Sequence, residues 1–277
     1  MATPPPFAWT SPAIHADVLL GVGLLAAAYA FAWTRGSRGA PREPALFLGG
    51  LLVLLAALNG PLHDLSDYYL FSAHMVQHLL LTLVVVPLLL TGTPAWMVDG
   101  PLDALRSRRW GRVVARALTR PVPAFALYAL ALVGWHLPAP YNAALERHAW
   151  HVVEHLTLLT TAGLGWWPVL SPSRRLPRLH YGPQILYLFV FGMPMTVVAA
   201  MITGAEHVLY PFYAAAPRVW DLTPLADQRL GGLIMWVPAG LIPLVAFTIV
   251  FFRWAADEAD DDERAADENL PVGGRLL

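Results

Sequence analysis

Long apolar blocks constrain this chain more than any other feature of its sequence. Seven stretches are almost wholly apolar, and each is close to the roughly 20 residues that cross a hydrocarbon core about 30 Å thick. Inside hydrocarbon every backbone polar group needs a partner within the protein, so such blocks form helices. The predicted fold is an all-α, polytopic transmembrane bundle with spans near 13–33, 44–60, 68–91, 121–138, 149–170, 181–203 and 230–252.

The composition agrees with a membrane protein. Of the 277 residues, 57% are hydrophobic and 13% are charged, whereas soluble chains carry about 25% charged residues. Cysteine is absent, which excludes a disulfide framework and every metal site built on thiolates.

The arginines predict the orientation of the bundle. Three of the loops and the end of the seventh span hold most of them, whereas the opposite loops hold only Arg147, Arg218 and Arg229. The positive-inside rule then places the N-terminus outside and the C-terminus in the cytoplasm. The arginine-rich set is Arg35, Arg38, Arg42, Arg106, Arg108, Arg109, Arg112, Arg116, Arg120, Arg174, Arg175, Arg178 and Arg253.

Two segments outside the spans carry their own predictions. Residues 1–254 are expected to form the seven-helix domain, and 255–277 an acidic cytoplasmic tail that is disordered because its composition is too charged to build a core. The basic loop 92–120 is expected to form an interfacial helix on the cytoplasmic face. Prolines inside spans predict kinks, at Pro87, Pro194, Pro238 and Pro243.

Histidines are distributed unevenly across this predicted bundle. Only His180 falls on the cytoplasmic side. The other nine lie in outer loops or in the outer halves of spans: His15, His63, His74, His78, His136, His148, His151, His155 and His207. This asymmetry predicts a site near the outer face.

Two segments are similar in sequence, HMVQHLLLTL from 74 and HVVEHLTLLT from 151, and each begins with His-x-x-x-His. Residues at i and i+4 share one helix face, so each segment offers two imidazoles in one direction. At about 1.5 Å per residue, His74 and His155 both lie about 9 Å below the outer membrane face. The two segments are therefore predicted to form the walls of one site.

The donor set favours copper. Imidazole binds several transition metals, and thioethers such as those of Met75, Met193, Met195, Met201 and Met235 suit Cu(I). The predicted ligands are His74, His78, His151 and His155, with Gln77 and Glu154 as hydrogen-bond partners of the ligating imidazoles. His63 and His136 are either ligands or rim residues, and Met235 is a further candidate ligand. The alternative is a hydrogen-bonded histidine cluster with a purely structural role.

Several segments together resemble one known family. They are PLHDLSDYYLFSAHMVQHLLL (61–81), WHLPAPYNAAL (135–145), HVVEHLTLLTTAGLGWWPVL (151–170), LYPFYA (209–214) and LADQRLGGLIMWVPAG (225–240). In these the sequence resembles the CtaG family, membrane factors that assemble the caa-type cytochrome c oxidases of bacteria. The family motifs fall on His63, Asp67, His74, Gln77, His78, His151, Glu154, His155, Asp227 and Gln228.

The resemblance implies a multi-pass protein of the bacterial plasma membrane that matures an oxidase of the respiratory chain and is not an enzyme. It adds His63 to the predicted copper ligands, and Asp67 and Asp227 to the residues that support them. The implied partners are oxidase subunits, a copper donor protein and the lipid bilayer, with no nucleic acid.

Three other functions fit part of the pattern. A copper permease would move the ion inward through the same histidines. A b-type haem protein would place His74 or His78 opposite His155 as axial ligands. A di-iron oxygenase also uses His-x-x-x-His, but its sites need about eight histidines. The leading hypothesis is a copper metallochaperone for oxidase assembly.

Overall fold

The computed structural model describes residues 7, 9, 14–36 and 40–268. Within these ranges the chain is helical and has no strand, which confirms the all-α prediction. The helices are α1 Ala16–Arg35, α2 Arg42–Leu58, α3 Pro61–Tyr68, α4 Phe71–Leu79, α5 Val86–Thr91, α6 Ala95–Arg106, α7 Arg109–Thr119, α8 Pro121–His136, α9 Pro138–Glu146, α10 His148–Leu170, α11 Tyr181–Phe191, α12 Met193–Gly204, α13 Pro211–Ala215 and α14 Pro224–Glu268.

Four helical segments are long and apolar enough to cross a membrane: Ala16–Arg35, Phe71–Thr91, Tyr181–Gly204 and Pro224–Asp261. Two bent pairs raise the number to six, α2 with α3 at 45° and α7 with α8 at 70°. The protein is therefore a membrane protein with four to six candidate spans among the described residues. Seven spans and the direction of the termini stay predictions.

The difference from seven has a physical cause. Helix α10 is 23 residues long, but its first two turns carry polar side chains that lower its hydropathy. Helices α2 and α8 have 17 and 16 residues, short of the roughly 20 that a span needs. The basic loop 92–120 does form helices, α6 and α7.

A π-helical segment, Leu80–Val85, joins α4 to α5 directly after the histidines of α4. In this register the carbonyl of Thr82 would accept from residue 87, but Pro87 has no backbone N–H. The indole of Trp166 in α10 donates to that carbonyl instead, at 2.9 Å. This bond satisfies the interrupted backbone and ties α10 to the helix that carries His74 and His78.

The other span prolines act differently from one another. A break at Gly192 separates α11 from α12 just before Pro194. Pro238 and Pro243 lie inside α14, which continues through both.

Helix α14 also continues to Glu268, which differs from the expected disorder from residue 255. Extending an existing helix avoids the cost of nucleation, and several alanines in this stretch are strong helix formers. Residues 269–277 lie outside the described residues.

The packing of α4 against α14 positions the site. The carboxylate of Asp227 accepts from the backbone N–H of Phe71 at 2.7 Å and of Ser72 at 3.1 Å, and so caps the N-terminus of α4. Gly231 lies one helical turn further along α14, where any Cβ would overlap the ring of Phe71. The first turn of α4 is thus held by a cap and by a close helix contact.

Candidate metal centre

Helices α4 and α10 bring four side chains together. His74, His151, Glu154 and His155 are all buried, and one donor atom from each lies within 4.8 Å of the others. We call these four residues the histidine–glutamate cluster. The ring centroid of His74 is 5.6 Å from that of His151 and 6.2 Å from that of His155. The two His-x-x-x-His segments, on α4 and α10, therefore face each other.

Tyr213 fixes the orientation and tautomer of His74. Its hydroxyl donates to the backbone carbonyl of Ser66 and lies 3.0 Å from His74 Nδ1. Burial raises the pKa of the Tyr213 phenol well above its ordinary value of about 10, so the phenol stays neutral. A neutral phenol has one proton, which the carbonyl takes, so His74 Nδ1 is the donor. His74 Nε2 therefore presents a lone pair to the cluster.

His78 lies against this lone pair. Its Nε2 is 2.7 Å from His74 Nε2 and 3.6 Å from Glu154 Oε1. Because His74 Nε2 is the acceptor, His78 Nε2 carries the proton. The other ring nitrogen of His78, Nδ1, then holds a lone pair, and it has no hydrogen-bond partner.

Glu154 is the most unusual member of the cluster. It is fully buried, and neither carboxylate oxygen has a hydrogen-bond partner. The Nε2 atoms of His151 and His155 also lack partners. A buried, uncompensated carboxylate costs several kcal/mol, and a cation held among these donors would offset that cost. Glu154 was expected to hydrogen-bond an imidazole, whereas its oxygens lie among the donor atoms.

His63 lies outside the cluster. The amide of Gln77 donates to the Ala57 carbonyl at 2.8 Å and to His63 Nδ1 at 2.9 Å. His63 Nε2 faces Asp67 at 3.4 Å. Since one ring nitrogen accepts a hydrogen bond and the other faces a carboxylate, this arrangement leaves His63 no free donor for a metal.

Asp67 connects His63 to the cluster. The same carboxylate oxygen, Oδ2, is 3.4 Å from His63 Nε2 and 3.4 Å from His151 Nδ1. It therefore lies where a ligating imidazole needs an acceptor for its second nitrogen.

Asp227 does not contact the histidines through its carboxylate, contrary to the expected role. It caps α4, the helix that carries His74. Gln228 beside it accepts from the backbone N–H of Leu209 at 2.7 Å, which positions the loop that leads to Tyr213.

The remaining candidates lie beside the cluster. His136 and Met235 line a small cavity next to His78. His15 packs edge-on against His63, with ring centroids 4.2 Å apart. Tyr213 was not among the predicted site residues, although it belongs to the LYPFYA segment; nothing in its local sequence distinguishes it from Tyr210 three positions earlier.

Comparison with known proteins gives distant but extensive matches. Uncharacterized proteins of Mycobacterium bovis and Mycobacterium tuberculosis are each 24% identical to the chain over 270 residues, covering 92% of the chain and 40% of the relative. One of Mycobacterium leprae is 24% identical over 229 residues, covering 75% of the chain and 35% of the relative. The chain therefore spans about 40% or less of the length of these relatives. No solved structure matches it.

A family match covers nearly the whole chain. The family is described as the cytochrome c oxidase caa3 assembly factor family, and it matches residues 7–257. This range contains every residue of the histidine–glutamate cluster. The chain belongs to the cytochrome c oxidase caa3 assembly factor family.

Proposed function

We propose that the chain binds one copper ion in the histidine–glutamate cluster and supports metal-centre maturation of a cytochrome c oxidase in the bacterial plasma membrane, without being an enzyme. One observation carries the proposal. The carboxylate of Glu154 is buried without a hydrogen-bond partner at the point where three imidazoles converge. A bound cation accounts for that arrangement, whereas a purely structural cluster would leave the buried carboxyl group without a hydrogen-bond partner.

The donor set fits copper. For a site of three imidazole nitrogens and one carboxylate oxygen, divalent copper has the highest affinity among the divalent metals of the first transition row. Tyr213 and Asp67 contact the second ring nitrogens of His74 and His151, which is how proteins orient ligating imidazoles. One donor atom from each of the four residues lies within 4.8 Å of the others, a spacing that suits a single ion and is too small for a porphyrin between them.

The position of His78 allows the cluster to release copper as well as to bind it. Its Nε2–H donates to His74 Nε2, the lone pair that a metal would take. Copper therefore binds in competition with a hydrogen bond already made within the protein, and the same bond re-forms when the ion leaves. Such an exchangeable site fits a factor that passes copper to an oxidase subunit after receiving it from a donor protein.

The test is copper loading of the purified full chain and of two variants, Glu154→Gln and His155→Ala. Metal analysis combined with X-ray absorption measures copper bound through nitrogen and oxygen. We expect about one such ion per chain in the wild type and at least a tenfold loss of affinity in each variant. His148→Ala is the matched control, because His148 is an exposed histidine outside the cluster.

Three outcomes contradict the proposal. Equal retention of copper by the wild type and both variants would remove the cluster as the site. A strong Soret band in the purified protein would assign the histidines to a haem. Copper uptake into vesicles that contain the chain, abolished by Glu154→Gln, would make it a permease.

A further inference from the structure

A second group of metal-binding side chains lies next to the cluster. Helices α4, α8, α10, α12 and α14 line a small cavity whose lining includes His78, His136, Met75, Met195 and Met235. We call this the methionine pocket. It has room for about one water-sized atom or ion.

His136 lines this pocket and has a free lone pair. Its Nδ1 lies 2.7 Å from the carbonyl of Leu132, and a carbonyl only accepts, so Nδ1 carries the proton. Nε2 is then the lone-pair nitrogen, and it has no hydrogen-bond partner although His136 is only 6% exposed.

His78, which also lines the pocket, has a second free lone pair. Three successive hydrogen bonds link the Ser66 carbonyl, Tyr213, His74 and His78. Because His74 donates from Nδ1 and accepts at Nε2, the proton of His78 lies on Nε2. Its Nδ1 is the lone-pair nitrogen, again without a partner in a side chain that is 4% exposed. Two buried imidazoles that line one small cavity each keep an unused acceptor.

The spacing of the two rings fits a shared ion. Their centroids are 5.6 Å apart and their planes meet at 80°. A metal about 2 Å from a ligating nitrogen lies roughly 3 Å from that ring's centroid. Two ligands of one ion therefore have centroids roughly 5–6 Å apart, the separation found between His78 and His136.

The sulfur atoms decide the class of ion. Three of the seven methionines line this one cavity. Met75 is 0% exposed, Met195 5% and Met235 2%. Apolar packing alone explains buried methionine, but it does not explain why two histidines that line the same cavity each keep a ring nitrogen without a partner. Thioether and imidazole together, in a chain without cysteine, are donors for Cu(I).

We infer that the methionine pocket is a second metal site, which binds Cu(I) through His78 Nδ1, His136 Nε2 and the thioether sulfurs. His78 then belongs to both sites, with Nε2 toward the cluster and Nδ1 as a ligand in the pocket. The inference rests on the proposed function in one respect, namely that copper is the metal the chain handles.

The experiment measures Cu(I) bound to the full chain in detergent, by anaerobic competition with a chromogenic Cu(I) chelator and by X-ray absorption. The test variant replaces Met75, Met195 and Met235 together by leucine, a change of similar volume that the packing tolerates. We expect the wild type to show a sulfur shell at about 2.3 Å, and the variant to lose that shell together with about one Cu(I) per chain. The control replaces Met193 and Met201, which are 44% and 70% exposed, by leucine and keeps both.

His155→Ala separates this inference from the proposed function. Loss of about one copper ion per chain with the sulfur shell retained supports both sites. An unchanged copper content in His155→Ala, with loss in the methionine variant, rejects the cluster and supports the pocket. A wild type without sulfur scattering, or a methionine variant that retains as much Cu(I) as the wild type, overturns the inference; the cavity then holds water only.

Discussion

Tyr213→Phe tests how the protein prepares His74. The hydroxyl serves two buried groups, since it donates to the Ser66 carbonyl and accepts from His74 Nδ1. Phenylalanine keeps the ring packing but leaves both groups without that partner. Each unsatisfied buried group costs about 1–3 kcal/mol, so the variant is expected to unfold more easily than the wild type.

Tyr213→Phe is also expected to lose more metal affinity than its lower stability explains. Without Tyr213, nothing holds the proton of His74 on Nδ1, and the lone pair is no longer fixed on Nε2. Loss of such an orienting hydrogen bond lowers metal affinity about 10- to 100-fold, or about 1.4–2.7 kcal/mol of binding free energy. Copper affinity is measured by equilibrium competition with a chelator, and stability by thermal unfolding in detergent.

Tyr187→Phe provides the matched control. The Tyr187 hydroxyl donates to the carbonyl of Gly165 at 2.6 Å in a buried position outside the cluster. Both variants lose one buried hydroxyl bond to a carbonyl, so both should unfold more easily. Only Tyr213→Phe should bind copper more weakly. If the two variants bind copper with the same affinity as the wild type, the assignment of the His74 tautomer is wrong.

Two further predictions concern the packing that supports the site. Gly231→Ala places a Cβ against the ring of Phe71 and should destabilise the bundle by about 1–3 kcal/mol. In the control, Gly240→Ala, the new Cβ meets no atom within 4 Å, so this variant should be as stable as the wild type or more stable by up to about 1 kcal/mol. Equal thermal stability of the two variants would contradict the close helix contact. Trp166→Phe leaves the Thr82 carbonyl without its donor and should lower the free energy of unfolding by about 1–3 kcal/mol. Amide hydrogen exchange around the π-helical segment should become faster. Unchanged exchange there would argue against this role of the indole.

The sequence predicted the two walls of the site because helix geometry is local. Spacing of i and i+4 puts two imidazoles on one face whatever the rest of the chain does, and the rise per residue placed His74 and His155 at one depth. Both predictions depend only on the helix and on the direction of the two segments.

The division of roles among the polar residues was not predictable in the same way. Gln77 follows His74 by three positions and Glu154 follows His151 by three, so their sequence contexts are alike. Yet the amide of Gln77 turns to Ala57 and His63, whereas the carboxylate of Glu154 lies among the donors. Which neighbour packs against each helix face decides this, and no local pattern encodes it.

By itself the sequence determined that the chain is helical, that it is apolar enough for a membrane, and that histidines gather in two echoing segments. These follow from composition and periodicity, which act over a few residues. Only the tertiary structure decided that Tyr213 hydrogen-bonds His74, that Asp227 caps α4 instead of supporting an imidazole, and that three methionines line one cavity with His78 and His136. Met75 and His78 lie on one helix, but every other pair that meets here is 40 or more residues apart in sequence, and packing of whole helices brings these residues together.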